Sequence, residues 1–343
     1  MLAIAAGYIF LYLFVALSRI QYPFELEWLE GSLVDHVRRI LAGQRLYVIP
    51  SLEFIPFFYT PLYFYLSAGV SKILGVGFFP LRLISFIASL GCFAVLYLIV
   101  ERETKSRFSA FLSASLFAAT FRASGAWFDI ARVDSLFLFF LLAAVYAVRF
   151  KTSLNWTVLA GALISLSFLT KQTALIISLP IMLYCVYADW RRSIFLIGIV
   201  ASVVTGTTLL LDNIHDGWYA YYIFRVPAHH AIIRNMFVDF WTKDLLLALP
   251  VACLMSAWCL YAKFSYMTRK TFLFYFLMTG GMVGASWLSR LHEGGYDNVL
   301  MTAYAALSIL FGLTVHTAIR WLRTMSLGVR SPGETAIYLA CIT

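Results

Sequence analysis

Apolar stretches fill most of this 343-residue chain, and each is stopped by a short cluster of charged or turn-forming residues. The longest lie near residues 2–20, 81–101, 107–127, 133–149, 155–170, 173–189, 193–211, 244–262, 271–288 and 299–318. Apolar runs of about 17 residues or more are long enough to cross bilayer hydrocarbon as helices. Strands of a membrane barrel alternate over about 10 residues instead, and runs such as SLFLFFLLAAVYAV do not alternate. The pattern predicts an all-α, polytopic membrane protein with about ten transmembrane helices.

The stretch FFYTPLYFYLSAGVSKILG (57–75) fits two placements. It is apolar enough to span, yet its proline, tyrosines and Lys72 also suit a juxtamembrane helix lying in the interface. Charge decides between them. With 57–75 flat, the short turns 101–107, 149–153, 189–192 and 263–270 and the tail from Arg320 share one face. That face then holds half of the 26 Lys and Arg, and the other face holds most of the 17 acids. Basic density in short loops marks the cytoplasmic side. A spanning 57–75 would scatter the basic turns. The residues before the first helix run against the trend, because they include no Lys or Arg.

Hydrophobic residues make up 62% of the chain and charged ones 13%, a balance that excludes a water-soluble domain. The net charge of +9 is read as topology rather than as a nucleic-acid surface. Cys92, Cys185, Cys253, Cys259 and Cys341 sit in or beside apolar runs without metal-ligand spacing and are read as small apolar fillers. The opening run is read as a retained helix rather than a cleaved signal. The last residues, AIYLACIT, resemble the start of another apolar run. The expected organisation is one transmembrane domain over 1–343, with a first external loop at 21–80 and a second at 212–243.

Candidate chemistry gathers on the external face. Glu25, Glu27, Glu30 and Asp35 fall within FELEWLEGSLVDHVRR, and Glu27 and Glu30 are spaced to share a helical face. Two such carboxylates can hold a divalent cation (Mg or Mn), or one can act as a general base. They can also simply pair with Arg38, Arg39 and Arg45. The turn WFDIARVDS places Asp129, Arg132 and Asp134 between two apolar helices. Those charges can pair locally or cap a helix; alternatively, Asp129 or Asp134 faces the same cavity as the first-loop glutamates. Lys171, at a corner with almost no loop, either snorkels or meets an anion such as phosphate, with Gln172 as a neutral donor beside it. The turn SRLHEGGYDN carries Arg290 as a candidate phosphate clamp, His292, Glu293, Asp297 and Asn298 around two glycines. Carboxylates and cations around one cavity suit transfer from a phosphate leaving group to a hydroxyl acceptor. The alternative is a transporter or flippase of lipid-linked substrates, but that predicts charges near the bilayer midplane rather than at helix ends.

From LEGSLVDHVRRILAGQRLY through FIPFFYTPLYFYLSAGVSKILG to LRLISFIASL, the chain resembles the start of the GT-C glycosyltransferases. The nearer branch is the bacterial one that includes aminoarabinose transferases and protein mannosyltransferases. The resemblance covers about 20–180, and 285–318 more loosely. It rests on an acidic motif, a later glycine, the Tyr59-Thr60-Pro61-Leu62 segment and an Arg-led helix in that order. It implies an inverting transferase that moves a sugar from a polyprenyl-phosphate donor to a lipid, glycan or protein acceptor. The implied site faces the periplasm or exterior of a bacterial inner or plasma membrane. Glu30 matches the second acid of the family's Asp-Glu pair, and Leu29 stands where the Asp is usual, which leaves the base open between Glu27 and Glu30. Asp129 or Asp134 matches a second-loop acid, Lys171 a lysine near the lipid phosphate, and Arg290, less closely, a phosphate-binding arginine. Arg132, Gln172, His292 and Tyr59 complete the expected substrate-binding set. No soluble C-terminal domain is recognisable, so acceptor recognition is expected from 212–243, whose DGWYAYYIF is rich in aromatics that can stack on a sugar.

Overall fold

The computed structural model describes residues 1–262 and 268–325. Cys341, the AIYLACIT run and most of the basic turn 263–270 lie outside the described residues. All ten predicted spans are helical, and the first external loop contributes two further helices. In chain order the helices are α1 (Leu2–Arg19), α2 (Glu30–Leu41), α3 (Leu62–Leu74), α4 (Phe78–Thr104), α5 (Arg107–Ala119) and α6 (Asp134–Phe150). They continue as α7 (Leu154–Thr170), α8 (Ala174–Ala188), α9 (Trp190–Ile214), α10 (Pro250–Ala262), α11 (Arg269–Arg290) and α12 (Met301–Met325). Among the described residues, five helices are long and apolar enough to cross a membrane, or six if one bent pair counts as a span. The helices α5, α7 and α8 are apolar but shorter.

Two boundaries differ from the sequence reading, each for a local reason. The span expected at 107–127 stops at Ala119, and the following turn places Gly125 and Ala126 at positive φ, where a right-handed helix cannot continue. The span expected at 244–262 is broken. Met236–Leu247 and Pro250–Tyr261 meet at 99°. Pro250 starts the second piece, because a proline lacks the N–H that would carry the preceding helix through it.

Ion pairs fix which helix ends share a face. At one end, Arg149 of α6 donates to Glu103 of α4 at 2.9 and 2.8 Å and to Thr271 of α11 at 2.9 Å. At the other, Arg19 of α1 pairs with Asp129, and Arg82 of α4 with Glu30. The region 57–75 therefore cannot span. Thr60 donates to the Phe168 carbonyl at the end of α7, at 2.6 Å. Only three residues separate the far end of α3 from α4, whose first turns pair with the same loop. Both ends of α3 thus lie at one face, and Ile73 and Leu74 stay exposed, as suits a helix resting in the interface.

The centre of the bundle is α12. Of its span, 89% is buried, against 17% for α1 and 11% for α9. Small residues allow this: a Cβ on Gly312 would meet the Ser109 carbonyl at 3.0 Å and the Ser113 Cβ at 2.9 Å. A second apolar core lies outside the spans, where Leu33, Val37, Tyr47, Tyr63, Phe64, Tyr219 and Tyr222 join the first loop to 212–243. Tyr47 packs edge-on against Tyr219 at 5.2 Å. Tyr219 is fully buried and Tyr222 nearly so. Tyr219 and Tyr222 of the run expected to stack on a sugar thus weld the two loops together, whereas its other rings, Trp218, Tyr221 and Phe224, keep exposure.

Candidate active site

A cavity of about 500 Å³ opens at the acidic end of the bundle, bordered by Tyr59, Lys171, Gln172, His230, His292 and Asn298. Four separate pieces of chain bring these groups together. Lys171 caps α7 in an extended conformation, so the chain reverses within three residues into α8 and holds the lysine at the rim. Tyr59 precedes the flat helix α3. His292 lies in the turn after α11, where Ile232 and His292 form an isolated antiparallel bridge, and the Ile233 and Glu293 amides donate to the Leu291 and Ala231 carbonyls at 2.8 and 2.9 Å. That turn closes tightly at Gly295, where any side chain would collide with the Ser289 carbonyl.

Behind the rim runs a buried chain of alternating charge. Lys171 Nζ donates to Asp134 Oδ1 at 2.6 Å, and Asn298 Nδ2 donates to the same oxygen at 2.9 Å. Arg132 Nε stands 3.7 Å from Asp134 Oδ2, its Nη2 donates to the Tyr59 hydroxyl at 2.8 Å, and its Nη1 lies 3.4 Å from Glu27 Oε2. The guanidinium rests over Trp127, 4.7 Å from the ring centroid. Glu27 Oε2 also accepts from the Leu29 amide at 3.1 Å. Burial raises the proton affinity of Glu27, and Arg132 opposes that shift.

Unpartnered polar atoms collect here. Glu27 Oε1, Arg132 Nε, Asp134 Oδ2, Gln172 Oε1 and Asn298 Oδ1 are all buried without a hydrogen bond. Arg132 Nε and Asp134 Oδ2 face each other at 3.7 Å. A buried unsatisfied polar atom costs about 1–3 kcal/mol, so the other three mark a place shaped for groups beyond its own side chains. Gln172 fixes its amide by donating to the Phe58 and Ile223 carbonyls at 2.7 and 3.3 Å, which leaves its oxygen as the orphan.

The remaining expected residues are elsewhere. Glu30 is fully buried and fully used: Oε1 accepts from Arg82 Nε and the Ala131 amide, and Oε2 from Arg82 Nη2 and the Leu26 amide, all within 2.6–2.9 Å. Asp129 is held two-fold by Arg19 at 2.8 and 2.6 Å. Arg290 is committed to Asp244 at 2.8 Å, Asp297 at 3.1 Å and the Gly295 carbonyl at 2.8 Å, and it does not border the cavity. Glu27 and Glu30 do not fit a divalent-metal site, because Glu30 has no oxygen to spare. Among the described residues, no three His, Cys, Asp or Glu side chains come together as a ligand set. Sequence reasoning gave no role to Arg19 and Arg82. Each is a lone cation at the end of an apolar helix facing the acidic loop, and that was the available signal.

The apolar bundle, the two helices outside it in the first loop and the charged cavity at one membrane face define an integral membrane protein with the GT-C fold. The family model for dolichyl-phosphate-mannose-protein mannosyltransferase matches residues 59–211. The chain also superimposes on the crystal structure of ArnT from Cupriavidus metallidurans bound to undecaprenyl phosphate, with a TM-score of 0.70 and 15% identity, over 98% of this chain and 64% of that one. Against ArnT from the same organism in the apo state, the TM-score is 0.64 at 14% identity, over 94% of this chain and 62% of that one. The chain thus spans under two thirds of the length of these structures. No curated protein matches it by sequence.

Proposed function

We propose that this protein is an inverting glycosyltransferase that moves a sugar from a polyprenyl-phosphate donor to a hydroxyl acceptor at the non-cytoplasmic face of the membrane. The observation that carries the reading is Lys171 at the rim of the cavity, with Asp134 in contact behind it and Glu27 joined to Asp134 through Arg132, the two carboxylates each keeping a buried oxygen without a hydrogen bond. The fold shared with a structure bound to undecaprenyl phosphate supports a lipid phosphate as the leaving group.

In this reading the acceptor oxygen attacks the anomeric carbon and the bond from that carbon to the phosphate oxygen breaks. The leaving phosphate keeps the bonding electrons. Glu27 takes the acceptor proton, because burial brings its affinity for a proton closer to the working pH than an exposed glutamate's. Lys171 and Arg132 offset the charge that builds on phosphate. Asp134, held by Lys171 and Asn298, orients the lysine. Glu30 and Asp129 serve as struts that fix the acidic loop against α4 and α1. Gln172, Tyr59 and His292 line the approach.

The test is transfer of labelled sugar from a panel of polyprenyl-phosphate sugars by the purified full chain in nanodiscs, with membrane extracts as acceptor source. Glu27→Gln is expected to lower turnover by about 100-fold or more at an unchanged melting temperature, the usual scale for losing a general base. Glu30→Gln is expected to lower stability first. A stable wild type that transfers from no donor would overturn the reading and favour transport of a lipid-linked substrate.

A further inference from the structure

The end of the bundle opposite the candidate active site has a cavity of its own, of about 420 Å³, between the ends of α6, α7, α8, α9 and α11. Four cations border it: Arg149, Lys151, Arg192 and Lys270. Two of them are neutralised. Arg149 is held by Glu103, and Arg192 pairs with Asp189 at 3.2 Å. The other two make no ion pair with a carboxylate among the described residues, and the one acid bordering the cavity, Asp189, is taken up by Arg192. Lys151 Nζ rests 4.4 Å over the Trp156 ring, and Lys270 Nζ makes one long contact, 3.4 Å, to the Ala188 carbonyl. Hydroxyls of Thr152, Thr157 and Thr268 line the same space, and Ala147, Val148, Ala160 and Leu196 give it an apolar floor. The N-termini of α7, α9 and α11 converge there, so their dipoles add to the positive field. A concave surface with two unneutralised lysines, hydroxyl donors and an apolar floor, at the ends of membrane helices, has the chemistry that holds a phosphodiester whose acyl chains remain in the leaflet.

We propose that this cavity binds the headgroup phosphate of an anionic glycerophospholipid from the leaflet opposite the candidate active site. Lys151 and Lys270 contact the phosphate, and the Trp156 ring lies beside the lipid at the interface. Bound there, the lipid clamps α7 and α8 to α11. Since α8 starts beside Lys171 and α11 ends before His292, the clamp stiffens two walls of the candidate active site from its far end.

The proposal is tested on the full chain by native mass spectrometry and thermal unfolding, after exchange into phosphatidylglycerol, into phosphatidylcholine, or into detergent with inorganic phosphate. Phosphatidylglycerol is expected to stay bound and raise the melting temperature. The combined Lys151→Ala and Lys270→Ala variant should weaken that retention by about tenfold or more, and the combined Lys151→Arg and Lys270→Arg variant should restore it. Arg102→Ala, an exposed charge at the same face outside the cavity, should leave it unchanged. Equal retention of both lipids would overturn the proposal, as would an effect of Arg102→Ala matching that of the lysine pair. Full protection by inorganic phosphate alone would overturn the lipid assignment.

Discussion

Arg82 and Glu30, 52 residues apart in sequence, form a two-point ion pair at 2.9 and 2.6 Å with neither side chain exposed. Two backbone amides, from Leu26 and Ala131, complete the carboxylate's shell, so one glutamate ties the acidic loop, the start of α4 and the turn before α6 into one unit. Removing one partner leaves the other buried and unpaired, a loss of about 3–5 kcal/mol. Arg82→Ala should therefore lower the melting temperature sharply, and Arg82→Lys should recover only part, since lysine cannot reproduce the fork. Thermal unfolding in nanodiscs checks this. An Arg82→Ala protein as stable as wild type would show that the pair is not a strut.

Lys171 combines a structural and a chemical duty, and the two can be separated. Lys171→Met removes the cation from the rim and leaves Asp134 facing Asn298 and Arg132 alone. Stability and retention of polyprenyl phosphate should both fall. Adding Asp134→Asn removes the stranded charge, so stability should recover while retention of the lipid phosphate does not. Melting temperature and lipid binding, measured on the same samples, check both. Recovery of binding in the double variant would take the phosphate contact away from Lys171.

Much of this architecture is written in the apolar periodicity. Each long run became a helix, and the grouping of basic turns placed 57–75 flat before any contact was known. Two features were not legible. The break at Pro250 lies inside an unbroken apolar run, where hydropathy has no directional information. The partners of the acids lie 50 to 110 residues away: Glu30 and Asp129 look like a catalytic pair by type, and only packing shows each one filled by an arginine from another helix. Lys171 and Asp134 were recognisable as isolated charges at helix ends, because burying such a group is costly unless it has a partner. The aromatic run of 212–243 was legible only in part, because Tyr219 and Tyr222 are buried while Trp218, Tyr221 and Phe224 keep exposure. Tyrosines that stack on sugars and tyrosines that seal a loop core have the same sequence pattern, and Tyr47 decides between them here.

Neighbouring glycines of α11 offer a paired test of close helix packing. A Cβ on Gly281 would stand 2.8 Å from the Ile177 carbonyl of α8, a backbone atom that cannot swing aside, whereas one on Gly280 meets nothing within 4 Å. Gly281→Ala should force α8 and α11 apart at a cost of about 1–3 kcal/mol. Gly280→Ala should be neutral or slightly stabilising, because alanine lowers the entropy lost on helix formation. Melting temperatures of the two variants decide it, and equal effects would show that the α8–α11 contact is slack.

His36 makes the first loop sensitive to acid. Its ring is fully buried on α2, 4.7–5.0 Å from the rings of Phe54, Phe57 and Phe64. Nδ1 donates to the Ser32 carbonyl at 2.6 Å, and Nε2 accepts the Phe57 amide at 2.9 Å. That acceptor exists only on a neutral ring. Burial lowers the pKa from 6.5 to about 4, against opposing pulls from the Ser32 carbonyl and Asp35. A lowered folded-state value means that the unfolded chain takes up the proton first. The contribution is whole above pH 6.5 and is lost as pH falls towards about 4, amounting to about 3 kcal/mol across that window. Protonation would set an N–H against the Phe57 amide and loosen the segment that leads into Phe58 and Tyr59, the wall of the cavity. The melting temperature of wild type should therefore fall more steeply than that of His36→Leu between pH 6.5 and pH 4.5, although the variant starts lower at neutral pH for want of the two hydrogen bonds. Parallel curves would mean that the folded ring takes up its proton over the same range as the unfolded chain's, so that burial does not lower its pKa.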